Sequence, residues 1–164
     1  MIVNRQRRVR VSVRDLENFL ELTRKRLRVS ADALTVCLVS DSEMARWNSV
    51  HRGKKGPTDV LSFSTNGPEP NRPKRKSRAQ RKGSTSSSAA SFQDAFANPA
   101  YLGDIAIAPA VARHNARRFG RTFSVEMRIL ILHGILHLLG YDHETDRGQM
   151  DRREARVRRD LGLA

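Results

Sequence analysis

Three histidines fall within eleven residues of this 164-residue chain, in the stretch HGILHLLGYDH from His133 to His143. His133 and His137 are four residues apart in a run that is otherwise almost wholly apolar, so on a helix they stand one above the other on a single face. Gly140 ends such a helix and lets the chain turn back, which returns His143 toward that face. Three imidazoles converging on one point form a site for a divalent transition metal: zinc first, with nickel or another such ion as the alternative, one per chain. Three protein ligands leave a fourth position open, as in catalytic rather than structural zinc sites. Desolvation agrees, because imidazoles on an apolar helix are costly to bury and ligation offsets that cost.

The same ligand spacing occurs in extended zinc peptidases, which carry a glutamate general base directly after the first histidine. Here that position is Gly134. Glycine inside a helix costs about 1 kcal/mol relative to alanine, so it is expected to have a packing reason, such as close approach of backbone or substrate. Asp142 beside His143 is a candidate to orient a ligand imidazole, or else a plain turn aspartate. His51 and His114 lie outside the cluster.

A second informative stretch is NSVHRGKKGPTDVLSF, residues 48–63, read as a basic loop entering a strand. Arg52 in that loop is the candidate catalytic cation. Facing the metal, its guanidinium would hold a phosphate bidentately and stabilise charge developing on a scissile phosphodiester. Lys54 offers a looser phosphate contact. The plain alternative is a solvated basic loop.

Strands and helices must interleave to bring these groups together. Weak alternation over 1–11 suggests a first strand, and Leu16, Phe19, Leu20 and Leu27 recur at helical spacing over 13–28. ALTVCLVS is a strand. Ser40 to Glu43 has capping-box spacing and starts a short helix through Trp47. Strands follow at 58–64 and 102–108, then helices from Pro109 to Phe119, from Ser124 to Leu139 and from about Thr145 to Leu161. The class is α/β or α+β around a small mixed sheet. Between these elements, residues 66–100 are rich in Pro, Ser, Lys and Arg and cannot offset their ordering entropy, so they read as a disordered basic insertion in one domain. That insertion is either an RNA-touching arm or a tolerated surface loop.

Composition narrows the partner. With 31 Lys+Arg against 17 Asp+Glu the formal net charge is +14, which suits nucleic acid; an anionic membrane surface or mere solubility are the rivals. The single cysteine, Cys37, sits in an apolar run and has no partner for an internal disulfide, which fits a reducing compartment. No secretory signal or membrane-spanning run is present in the sequence, so a cytoplasmic protein is expected.

HGILHLLGYDH resembles the signature of the YbeY-type rRNA maturation endoribonucleases. PTDVLSF (57–63) and LGDIAIA (102–108) are similar to two further stretches of that family, in the same order. The resemblance covers most of the chain from about Leu34 onward, apart from the insertion. It implies a single α+β domain with zinc held by His133, His137 and His143, on the central helix and the turn after it. It implies metal-dependent cleavage of single-stranded RNA, in maturing the ends of small-subunit rRNA and in ribosome quality control. The family's functional arginine matches Arg52, and the asparagine that begins its segment matches Asn48. His51 stands where the family commonly has tyrosine, and Lys55 where it commonly has an acidic residue.

The expected function is thus a zinc-dependent endoribonuclease acting on rRNA and the small ribosomal subunit, with no small-molecule cofactor. Arg52 steadies the phosphate; Asn48, Lys54 and Asp142 are supporting candidates. The arginine-rich helix over 147–159 either holds RNA or is a solvated face laced by Arg147/Asp151, Glu154/Arg158 and Arg156/Asp160. The nucleophile, a 2′-hydroxyl or a water, stays open. The rivals are a zinc peptidase and a non-enzymatic ribosome-assembly factor with a structural zinc.

Overall fold

The computed structural model describes residues 1–65, 101–142 and 146–163. The expected insertion at 66–100 and the residue His143 lie outside them. The described elements follow in the order β1 (Ile2–Asn4), α1 (Val13–Leu27), β2 (Leu34–Leu38), α2 (Asp41–Arg52), β3 (Val60–Ser64), β4 (Gly103–Ile107), α3 (Pro109–Arg118), α4 (Phe123–Leu138) and α5 (Gln149–Asp160). The sheet order is β1-β2-β4-β3, parallel except where β3 runs antiparallel to β4. This is the small mixed sheet and helix set of an α+β fold.

Alternation along the strands explains the two layers. Leu34, Val36 and Leu38 of β2 point to one face, beside Ile105 and Ile107 of β4, and pack with Leu16, Phe19 and Leu20 of α1 and with α4. Residues of the opposite parity (Cys37, Ala106, Leu61, Phe63) face α2 and meet Met44 and Trp47. Helix α4 is apolar on nearly every side and therefore lies at the centre, touching α1, α3, α5, β3 and β4. Among the described residues no helix is long and apolar enough to cross a membrane.

Three boundaries differ from expectation, each for a local reason. The first strand covers only Ile2–Asn4; beyond it the Gln6 side chain donates to the Val9 carbonyl and accepts from the Val9 amide, both at 2.9 Å, and so satisfies backbone that a strand partner would otherwise pair. The capping box of Ser40 and Glu43 does start α2, but the helix runs past Trp47 to Arg52. It stops at Gly53, whose φ of +64° is the left-handed conformation that glycine adopts without strain. Asn48, His51 and Arg52 are thus helical residues, not loop residues. Helix α5 begins at Gln149 because the Asp146 carboxylate accepts the amides of Gly148, Gln149 and Met150 at 2.7, 2.9 and 2.8 Å, taking up donors at the helix start.

Candidate metal centre

His133 and His137 occupy the last two turns of α4, and their Nε2 atoms lie 3.1 Å apart. Two nitrogens bound to one tetrahedral zinc at about 2.0–2.1 Å are about 3.3 Å apart. The pair therefore fits two ligand positions of a single ion. The rings stand nearly edge to face, with centroids 4.7 Å apart and planes at 77°.

The turn that carries them is held hard against the sheet. A methyl group on Gly134 would lie 2.7 Å from Ile105 Cγ2 and 2.9 Å from its Cδ1, inside van der Waals contact with a fully buried side chain. The Gly134 carbonyl accepts from Ser62 Oγ of β3 at 3.3 Å. Glycine stands where a peptidase keeps its base because β4 passes directly beneath, and a glutamate there has no room for its first carbon.

Glu154 of α5 reaches the same spot from the other side. Its Oε2 is 2.8 Å from His133 Nδ1, and its Oε1 is paired with Arg158. Burial alone would raise the Glu154 pKa, but the hydrogen bond with His133 and the Arg158 charge outweigh it, and the carboxyl is held below its usual value. An ionised carboxylate only accepts, so His133 Nδ1 is the donor and its Nε2 faces His137. One of the two sequence readings of this helix places Glu154 on a solvated face with Arg158. The pair forms, yet Glu154 is buried. The overlooked signal is its place between Met150 and Val157, at i+4 and i+7 on the stripe by which α5 docks on Leu132 and Leu136. Of the other pairs expected on this helix, Asp160 accepts instead from Arg26 of α1, whose Nε lies 3.0 Å away.

Asp142 lies in the turn after α4, half-exposed, and its carbonyl accepts from the Asp146 amide at 2.9 Å. This contact, with Asp146 capping α5, ties residue 142 to the start of that helix.

The second group of candidates is gathered at the end of α2. Asn48 is buried and its Nδ2 donates to the Gly56 carbonyl at 2.9 Å, which pins the loop after the helix. Arg52 is the last residue of α2 and Lys54 follows Gly53; both are exposed. His51, one residue before Arg52, stacks edge-on against Phe63 of β3, with centroids 4.9 Å apart. Phe63 and Ser62 are neighbours on opposite faces of β3. The histidines and the helix that carries Arg52 therefore flank the same edge strand from its two sides.

The chain matches the family model described as Endoribonuclease YbeY over residues 1–162. It is similar to the protein named Endoribonuclease YbeY of Solibacter usitatus, 37% identical over 148 residues, which cover 90% of this chain and 78% of that one. It is also similar to the protein of that name from Staphylococcus epidermidis, 33% identical over 151 residues, covering 90% of this chain and 85% of the relative. The solution structure of TM1509 from Thermotoga maritima has the same fold, with a TM-score of 0.56 at 26% identity, covering 98% of this chain and 89% of that chain.

Proposed function

This chain belongs to the YbeY endoribonuclease family, and we propose that it cuts single-stranded RNA at a zinc centre held by His133, His137 and His143. The observation that carries the reading is the convergence of the His133 and His137 Nε2 atoms to 3.1 Å at the end of α4. A bound zinc supplies a Lewis acid at the phosphodiester and acidifies a water there. The chain's own residues bind and orient the RNA. Arg52, carried at the end of a capped helix, steadies the phosphate and its developing charge. Asn48 holds the loop that bears Lys54, which adds a point-charge contact to the RNA backbone. The formal charge of +14 steers and retains the polyanion.

We extend the proposal to the setting that the family resemblance implies. The substrate is small-subunit rRNA, cut in 3′-end maturation and ribosome quality control in the cytoplasm. A peptidase role is disfavoured by the Gly134–Ile105 contact, which leaves no place for the glutamate base.

The test pairs metal analysis of the purified protein with cleavage of an rRNA precursor by wild type, His137→Ala and Arg52→Ala. Wild type is expected to hold about one zinc per chain and to cleave. His137→Ala loses both properties. Arg52→Ala keeps the metal and loses most cleavage. Protein that holds no metal sinks the ligand assignment, and an Arg52→Ala enzyme cutting at the wild-type rate sinks the role of Arg52. Inert but ribosome-binding wild type would favour the assembly-factor reading. Mapping product termini separates attack by a 2′-hydroxyl, which leaves a cyclic phosphate, from attack by water.

A further inference from the structure

We infer that Glu154 is a positioning residue for the metal centre: it fixes the tautomer and ring orientation of His133 and so sets how tightly the site holds its ion. The inference rests on the reading of His133 as a ligand.

A carboxylate is out of place where Glu154 stands. Its neighbours on the docking face of α5 are Met150 and Val157, both fully buried, and they pack on Leu132 and Leu136 of α4. An apolar side chain at that position would complete the stripe at lower cost, because a buried carboxylate loses hydration that its partners must replace. The partners are specific. One oxygen takes His133 Nδ1 at 2.8 Å, and the other takes the Arg158 guanidinium one turn later. Arg158 is thereby the counter-charge that keeps the carboxylate ionised and accepting. With the proton held on Nδ1, a neutral His133 ring has its lone pair on Nε2, the atom 3.1 Å from His137 Nε2. The ring cannot turn without breaking the bond to Glu154. Partners of this kind raise ligand basicity and remove the orientational entropy a metal would otherwise have to overcome, and losing them weakens metal binding about 10–100-fold.

Two readouts test this, one of them independent of metal. Nitrogen-15 NMR of the imidazoles in metal-free protein reports which nitrogen of His133 carries the proton. Competition with a chromogenic chelator reports zinc affinity. In wild type the proton is expected on Nδ1. In Glu154→Ala it spreads to Nε2, and zinc affinity falls about 10–100-fold. Glu154→Gln, which keeps an acceptor oxygen at nearly the same volume, retains the Nδ1 proton and recovers most of the affinity. Should Glu154→Ala fail to fold with Arg158 left uncompensated, Glu154→Ala/Arg158→Ala removes both charges and gives the same reading. An unchanged tautomer together with wild-type zinc affinity in the alanine variant overturns the role of Glu154. Wild type that binds no zinc while its tautomer still depends on Glu154 overturns the metal centre instead.

Discussion

Gly134 and Ile105 meet so closely that a single methyl group on the glycine would sit 2.7 Å from the isoleucine Cγ2. Two effects of opposite sign compete at this point. Alanine in a helix interior is favoured over glycine by about 1 kcal/mol, whereas overpacking a filled core costs about 1–3 kcal/mol. Ile105 is fully buried and β-branched, so it has little freedom to retreat and the packing term wins. Gly134→Ala is expected to lower stability by up to about 2 kcal/mol on balance, measured as the urea midpoint at constant slope. Gly134→Glu, which restores the peptidase pattern, is expected not to fold. A Gly134→Ala protein more stable than wild type would show that the helix–sheet contact is looser than described.

Asp146 offers a second test, because one carboxylate accepts three successive amides at the start of α5. Asp146→Ala is expected to cost about 0.5–2 kcal/mol, the usual range for a lost helix cap. Asp146 follows His143 by three residues in sequence, so on the proposed ligand set zinc affinity should fall alongside stability. Asp146→Asn, which keeps an acceptor, should restore most of both. Thermal unfolding with and without zinc separates the two effects.

Glu154 gives the fold an acid dependence with a definite sign. Its carboxyl is held below the usual value of 4.5; burial pushes it up, but the His133 hydrogen bond and the Arg158 charge pull it down further. The group therefore adds stability that is present above that value and is lost as pH falls through the lower native one. The difference in unfolding free energy between wild type and Glu154→Gln should shrink steadily as pH is lowered below about 4.5. A difference that holds constant into that range would contradict an ionised, paired Glu154.

Cys37 lies half-buried in β2, and burial followed by the Asp104 carboxylate pushes its thiol above the usual 9.0. Only the thiolate is the nucleophile, so at neutral pH the native thiol should be alkylated by iodoacetamide more slowly than in urea. Mass spectrometry of the native and unfolded protein over time measures the ratio. Equal rates would place Cys37 in an open, unperturbed setting.

Much of this arrangement is legible in sequence, and the exceptions share one cause. Helix α4 announces itself by length, apolar content and the Gly140 boundary, its start at Phe123 being fixed by the Thr122 cap, and the i, i+4 spacing does stack the two imidazoles. The expected packing reason for Gly134 is the β4 strand beneath it. The basic run around Arg52 reads as a loop, yet nothing between Trp47 and Gly53 breaks a helix, and the capping box at Ser40 carries it through. Glu154 was hidden differently. Its pairing with Arg158 is local and visible, but its partner His133 lies 21 residues away on another helix. A carboxylate four residues from Met150 and three before Val157 reads as surface until the docking of α5 on α4 is known. Local pattern identifies the elements, whereas the polar contacts that tune a site depend on which elements meet.

At the foot of the β3–β4 hairpin, the Thr65 amide donates to the Leu102 carbonyl at 3.0 Å, and the Thr65 hydroxyl donates to the Tyr101 carbonyl at 2.6 Å. The two chain ends that flank 66–100 are thus tied together by the fold itself. Register is set above this knot, where Val60 to Ser64 pair with Ile107 to Gly103. In general, each doubling of a flexible loop's length adds only about 0.6 kcal/mol of closure entropy. The β3–β4 junction is accordingly a natural splice point: chain can be lengthened, shortened or exchanged between Thr65 and Tyr101, for an epitope or a peptide of other composition, while the strand beneath the histidines keeps its place.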